Sequence, residues 1–309
     1  MKTRNLLIVM LIVLTVSSLN RISAQFVPDS ISHFQDTSSY VNIRFKEGTT
    51  YLGKLRYNVH DTIAIQTSDL GLIKIPYSKI RRIDYVTIRN GKAWFPQPLP
   101  GRYFFSPSAF TLRAGEGYYQ NTMIALNSFN VGVTNWFSFG GGIEFFTTIG
   151  SMSSGEFRPT FYITPKIGFK VAPDLRIGAG VIYLQLLGDE VKLANFYGVV
   201  TYGNEDYNIT GGVGFGYGKG KDASKGEWME KPLITLSGTA RMSRKLAFVS
   251  ENWFVPNMDE TGTKYYPIFS YGLRFMGESI SVDLLLLNNE DIFHIFFLGI
   301  PMVSFTVKF

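Results

Sequence analysis

From about residue 101 to its C-terminus, the chain repeats one pattern: short segments in which bulky apolar side chains alternate with Gly, Ser, Thr, Asn and isolated charges. Phe161, Ile163, Ile167, Phe169 and Val171 alternate with Thr160, Thr164, Lys166, Gly168 and Lys170. Tyr207, Ile209, Val213, Phe215 and Tyr217 alternate with Asn208, Thr210, Gly212, Gly214 and Gly216. Phe269, Tyr271, Leu273 and Phe275 oppose Ser270, Gly272 and Arg274. A period of two belongs to a strand, whose successive side chains point to opposite faces. A soluble β-sandwich also alternates, but its outer face carries Lys and Glu. Here the polar face is the glycine-rich one, as expected where lipid lies outside and a lumen inside. The expectation is an all-β fold, a transmembrane antiparallel β-barrel occupying residues 102–309.

Composition agrees with many short strands: 31 Gly, 17 Tyr and 26 Phe stand beside only 17% charged residues. After Arg21 no apolar run approaches the roughly 18 residues that a membrane helix requires. The chain has no cysteine. Disulfides, thiolate catalysis, Cys-based metal sites and a lipid-anchoring cysteine are therefore excluded together.

Residues 1–24 have the make-up of a secretory signal peptide: a basic start at Lys2 and Arg4, an apolar stretch over residues 6–16, and Ile22-Ser23-Ala24 before Gln25. Removing Lys2, Arg4 and Arg21 takes the formal charge from +6 to +3. Such a balance gives no case for nucleic acid. Residues 25–39 are polar and patternless and are expected to be flexible.

Residues 40–92 form a separate unit. Alternating runs at 41–45, 50–59, 62–67, 72–76 and 79–85 are punctuated by Lys46-Glu47-Gly48, His60-Asp61 and Asp69-Leu70-Gly71. Short strands joined by such turns predict a small five-stranded barrel. The segment Phe45-Lys46-Glu47-Gly48-Thr49-Thr50-Tyr51-Leu52-Gly53-Lys54-Leu55 resembles the first motif of Sm-like and SH3-like small barrels, whose glycines permit a tight turn and a bent second strand. The acidic and amide residues of the Sm nucleotide pocket are not recognisable, so the resemblance implies a fold and no RNA-binding function. Trp94-Phe95-Pro96-Gln97-Pro98-Leu99-Pro100 then interrupts the pattern, and residues 93–101 read as a stiff proline-rich linker.

Turn lengths suggest the barrel's topology. Short connections fall at Asn135, Ala172-Pro173-Asp174, Asn204-Glu205-Asp206, Met242-Ser243-Arg244 and Gly277-Glu278-Ser279, and longer ones at 150–157, 188–192, 218–230, 256–264 and 288–298. Outer-membrane barrels keep short turns in the periplasm and long loops outside. With residues 103–113 as the first strand, the count reaches about twelve and both ends face the periplasm, as does the small domain. Apolar parity switches near Asn127, and Glu251 interrupts 245–255; a β-bulge is expected in each.

The last strand places Pro301, Val303, Phe305, Val307 and Phe309 on the lipid face, and is expected to pair with 103–113. Its terminal aromatic, with Phe305, resembles the assembly signal read by the folding machinery of outer-membrane barrels. The stretches Arg102-Tyr103-Phe104-Phe105-Ser106-Pro107-Ser108-Ala109-Phe110 and Gly115-Glu116-Gly117-Tyr118-Tyr119-Gln120-Asn121 resemble a recurrent pattern in bacterial outer-membrane β-barrel proteins, one that brings no activity with it. The resemblance implies the cell outer membrane, contact with its lipids, and the barrel assembly machinery as a partner.

Little points to catalysis, and no cofactor is implied. The histidines His33, His60 and His294 are too scattered for a metal site or a Ser-His-acid triad. An outer-membrane lipid hydrolase is a remote alternative, with His294 beside Glu290 and Asp291 but no identifiable serine. The Gly-rich stretches do not follow a phosphate-loop pattern and mark places where strands bend or the lumen widens.

The lumen offers the functional candidates. Projection places Glu144 inward, with Phe146, Leu184, Leu186, Leu233, Ile268, Leu285 and Leu287 toward the outer end. Lys166, Lys170, Arg176, Arg241, Arg274 and Lys308 lie toward the periplasmic end, with Asp283 near Arg274. An apolar mouth above a basic floor suits an amphiphilic anion such as a fatty acid; alternatively these residues pack under loops or rim the opening. Ile292, Phe293, His294, Phe296 and Phe297 are too apolar to stand in water, and are expected to fold into the lumen as a plug or dip into the outer leaflet. Two functions follow: a passive channel or transporter for small or amphiphilic solutes, or a non-conducting barrel anchoring the small domain for a periplasmic partner.

Overall fold

The computed structural model describes residues 39–59, 61–153, 155, 157–188, 190–221, 223–256 and 265–309. The expected signal peptide, nearly all of the expected flexible start, His33 and His60 lie outside them. The chain divides into two compact units between Ala93 and Trp94.

The first unit is an antiparallel sheet of β1 (Tyr40–Phe45), β2 (Thr50–Val59), β3 (Thr62–Gln66), β4 (Leu72–Pro76), β5 (Ile80–Arg89) and β6 (Lys92–Trp94), in the order β4-β3-β2-β1-β5-β6. Alternation in β1 turns Val41, Ile43 and Phe45 inward, where they join Leu55, Ile63, Ile65 and Ile75 in one core. The register of β2 against β3 shifts between Leu55 and Tyr57, the expected bend. The small barrel expected with five strands is a six-stranded antiparallel sheet. A sixth strand forms where the linker was expected to begin, and β4 and β6, the sheet's two edges, do not pair.

The second unit is a closed antiparallel ring of twelve strands. Its members are β7 (Gly117–Thr122), β8 (Leu126–Gly132), β9 (Phe137–Glu144), the two halves β10 (Thr160–Ile163) and β11 (Lys166–Ala172) of one interrupted strand, β12 (Leu175–Leu186), β13 (Val191–Gly203) and β14 (Tyr207–Lys219). After the two-residue β15 (Glu227–Trp228), which pairs β14, come β16 (Leu233–Ser243), β17 (Leu246–Pro256), β18 (Tyr265–Met276), β19 (Ile280–Asn288) and β20 (Ile300–Lys308). Thr164 and Pro165 divide β10 from β11; proline has no N–H to give the ladder. The ring closes where β20 pairs with β7, Ser304 opposite Thr122 and Lys308 opposite Tyr118.

Two faces differ as the alternation requires. Thr201, Thr210, Ser270, Ser304 and Thr306 point inward and are buried, whereas Val200, Ile209, Val213, Phe248, Leu284, Val303 and Phe305 point outward and are exposed. All five short connections named from the sequence lie at one end of the ring, with Phe309. The opposite end carries the longer loops and two helices, α1 (Phe145–Ser153) and α2 (Glu290–Ile295).

Three expectations fail here. Residues 103–113 are not a strand and do not pair with β20. Tyr103, Phe104, Ser106, Ser108, Ala109, Phe110 and Leu112 are all buried, without the one-sided burial of a barrel strand. The parity switch near Asn127 is not a bulge but a tight turn between β7 and β8, with Met123 at φ 53° and Ile124 at φ 65°. Asn121 and Asn127 hydrogen-bond to the Ile124 carbonyl, an amide-rich turn that tolerates left-handed backbone. The hairpin supplies the strand that 103–113 was expected to give, so the count stands at twelve. The third failure is the bulge in 245–255: β17 pairs with β18 in unbroken register, the shift in its ladder with β16 falls on β16 between Arg241 and Ser243, and Glu251 sits buried on its inward face.

Candidate functional site

The lumen is occupied by the chain's own residues 94–116. This segment starts at the short-turn end, where Trp94 donates its indole N–H to Asp206 at 2.8 Å and lies under the Arg241 guanidinium, 4.5 Å from the ring centroid. It doubles back through a tip in which Arg102 and Pro107 form a bridge, and returns to the same end, where Gly117 and Phe309 exchange backbone hydrogen bonds. Residues expected to be linker belong to it, and Gln97, Pro98 and Leu99 are buried.

Inward side chains hold this plug by its backbone. Glu251, 0% exposed, accepts the N–H groups of Phe104, Phe105 and Ser106 on one carboxylate oxygen at 2.9, 2.9 and 2.8 Å, and the Trp253 indole N–H on the other at 2.6 Å. Successive N–H groups converging on an anion form a nest, and each hydrogen bond to a charged group contributes about 1.5–3 kcal/mol. Arg274, 1% exposed, pairs with Asp283 at 2.7 Å and donates to the carbonyls of Tyr103 at 2.6 Å and Leu99 at 3.3 Å. The ammonium of Lys166 donates to the carbonyls of Gly101, Ser108 and Phe110 at 2.6, 3.1 and 2.6 Å, which uses all three of its N–H bonds. Arg241 donates to the Phe95 carbonyl and to Asp206, at 2.6 and 2.7 Å. Thr201 and Ser138 accept the N–H groups of Ala109 and Leu112.

Glycine makes the fit possible. A Cβ at Gly168 would stand 2.3 Å from the Ala109 carbonyl oxygen, and one at Gly132 2.0 Å from that of Arg113. Those lumen-facing glycines mark where plug backbone touches barrel wall.

The structure thus brings Lys166, Arg241, Arg274, Asp283 and Leu285 together on the plug; Leu285 packs with Tyr103, Phe104 and Val249. Lys308 is half-engaged at the short-turn end, 3.1 Å from Glu116. Burial works to raise the Glu116 carboxyl, but Lys308 and the Arg113 N–H outweigh it and hold the group below the usual carboxylate range. Arg176 lies over the Phe110 ring at 4.2 Å. Leu184, Leu186 and Ile268 are half-buried, and Lys170 is exposed. Glu144 caps α1 by accepting the N–H groups of Phe146 and Thr147, and Phe146 is 58% exposed rather than inward. The loop expected to fold into the lumen or dip into the outer leaflet does not enter the lumen: Phe293, Phe296 and Phe297 are exposed on and just after α2, and His294 makes a ring contact with Phe293. Glu251 escaped the sequence reading as a functional residue; the only sign of it was a carboxylate in an otherwise barrel-like strand.

The plug does not fill the whole lumen. A chamber of about 320 Å³ lies between its tip and the wall, reaching from Lys166 and Ser138 to Leu126, Leu184 and Trp253. Most of the lining is apolar. Its polar members include Arg102, Tyr118, Tyr162, Tyr197 and Asn130. Among the described residues no group of acidic or histidine side chains could hold a metal ion.

The fold and site define a closed twelve-stranded barrel with an apolar exterior and an internal plug formed by its own chain. Among solved structures it is similar to the KdgM porin in complex with disordered oligogalacturonate, at 10% identity over 62% of this chain and 96% of that one, with a TM-score of 0.41. OmpT of Vibrio cholerae shares 10% identity over 88% of this chain and 95% of that one, at a TM-score of 0.35. The Ralstonia pickettii toluene transporter TbuX shares 9% over 88% of each chain, at 0.31. No protein-family model matches the chain, and no curated protein matches it.

Proposed function

We propose that this protein is an outer-membrane channel that is closed at rest by residues 94–116, takes a small solute into the chamber on the long-loop side, and releases it when the plug shifts. Membrane embedding rests on the barrel's exterior, where Phe129, Val131, Ile209, Val213, Phe248 and Leu284 expose apolar surface round the ring. Soluble proteins rarely leave apolar patches beyond a few hundred Å² open to water. Exposed Trp136, Tyr202 and Tyr207 lie toward the short-turn end, and exposed Phe145 and Trp228 toward the other, the placing of interfacial aromatic girdles. The short-turn end would face the periplasm, with the first unit on that side, as the sequence reading expects.

The observation that carries the reading is the chamber that the chain's own side chains leave unfilled. Close-packed interiors contain few voids larger than a water molecule, and a barrel that served only as an anchor would gain stability by filling this one. The density of polar contacts to the plug favours the second reading, a non-conducting barrel that anchors the first unit for a periplasmic partner.

Single-channel recording in planar bilayers separates the two. The wild-type protein should show a mostly closed state with brief openings. Glu251→Gln, which removes the charge from three plug hydrogen bonds, should raise the open fraction by about tenfold or more. A barrel that stays silent in both forms contradicts the channel.

A further inference from the structure

Resting on the channel reading, we propose that the chamber is a binding site for a small amphiphilic monocarboxylate, its headgroup held at Arg102 and its apolar body against Leu112, Leu126, Ile182 and Leu184. Charge comes first. Two cations, Arg102 and Lys166, face the chamber, and the nearby carboxylate is Glu251, whose oxygens are taken by the plug's N–H groups and by Trp253. Asp283 is taken by Arg274. Lys166 spends its three N–H bonds on carbonyls, so it adds positive potential but no free donor.

Arg102 is different. Its Nε and one terminal nitrogen both donate to the Phe104 carbonyl, at 3.1 and 2.7 Å, and no carboxylate hydrogen-bonds to it, Glu251 acting on it only at longer range. A guanidinium carries five N–H donors and no acceptor, and planar carboxylates match its fork. A cation withdrawn from water with no carboxylate in contact is costly, and an anion bound beside it would offset that cost.

The rest of the wall carries no carboxylate. The hydroxyls of Tyr162 and Tyr197 line the same wall and can donate, and the amide nitrogen of buried Asn130 has no partner among the described residues. Donors on a wall that holds a cation and no carboxylate suit an oxyanion. Two cations set against the single nearby carboxylate of Glu251 leave one net positive charge, which matches a monoanion and disfavours dianions and amines. The apolar majority of the lining suits a hydrocarbon body, and about 320 Å³ lies at the small end of ligand pockets.

Octanoate is the probe. Radiolabelled octanoate should bind saturably to the full-length protein in lipid nanodiscs, above the level of empty nanodiscs. Unlabelled octanoate should displace it, and neither octan-1-ol nor octylamine should at the same concentration. Arg102→Gln should weaken binding about tenfold or more, and Arg102→Lys should retain part of it. Because Arg102 also supports the plug tip, Leu184→Trp serves as a second variant: it fills the chamber, leaves the guanidinium in place, and should lower binding too. Binding no higher than in empty nanodiscs, binding unchanged by both Arg102→Gln and Leu184→Trp, or equal displacement by octan-1-ol would overturn the proposal. Gated conductance without octanoate binding would overturn the ligand and leave the channel standing. Octanoate binding to a barrel that never conducts would leave the site and overturn the channel.

Discussion

Arg274 and Asp283 show how a buried charge can be structural rather than a site for solute. Both are 1% exposed, and the guanidinium also holds two plug carbonyls. Removing one member of such a pair strands the other in a dry interior, which costs about 3–5 kcal/mol, whereas replacing both with apolar groups is often near neutral. Arg274→Met should therefore lower the urea midpoint of the folded barrel in liposomes far more than the double replacement Arg274→Met with Asp283→Leu. Equal loss in the two variants would contradict this. The pairing itself could be read in the sequence, because Arg274 and Asp283 flank a short turn on adjacent strands. The role of Glu251 could not: that a carboxylate points inward follows from parity, but its three N–H partners come from residues 104–106, about 145 positions away, and no local pattern reports a nest for which the donors arrive from elsewhere.

At the scale of elements, the segment before the barrel was misread for a physical reason. Residues 103–113 are aromatic and apolar enough to make a strand, and a hydrophobic pattern cannot distinguish a strand against lipid from a segment surrounded by other strands. Pro107 and the adjoining Ser106 and Ser108 were the signs of irregular backbone. Counting strands to an even number then concealed the error, because the β7–β8 hairpin at Met123 and Ile124 restored the total. One consequence concerns closure. The β7–β20 seam aligns five residue pairs, against twelve between β12 and β13. Short ladders open first. In hydrogen-exchange mass spectrometry of the reconstituted protein, peptides covering 117–122 should exchange faster than those covering 191–203. The reverse order would count against the seam.

For the whole molecule, the alternation from residue 101 onward was sufficient to specify a barrel of about twelve strands, its two faces and its short-turn end, but not the strand that closes it. What it left hidden was the state of the lumen, since that depends on contacts between residues 94–116 and at least six different strands. The basic residues placed inward by parity turned out to meet plug carbonyls and not open water. Exposure of Phe293, Phe296 and Phe297 moves the search for a gate from the long loops to the N-terminal side of the barrel.

The central claim is that this plug must move for solute to pass. Ser106 and Ser237 bring their hydroxyl oxygens to 2.7 Å between plug tip and wall, and the chain has no native cysteine. The double variant Ser106→Cys with Ser237→Cys should therefore form a disulfide that fixes the tip. Solute flux into proteoliposomes is the measurement. The account predicts that the oxidised variant is closed and that a reductant restores wild-type flux; equal flux before and after reduction, with the disulfide verified by mass, would contradict it.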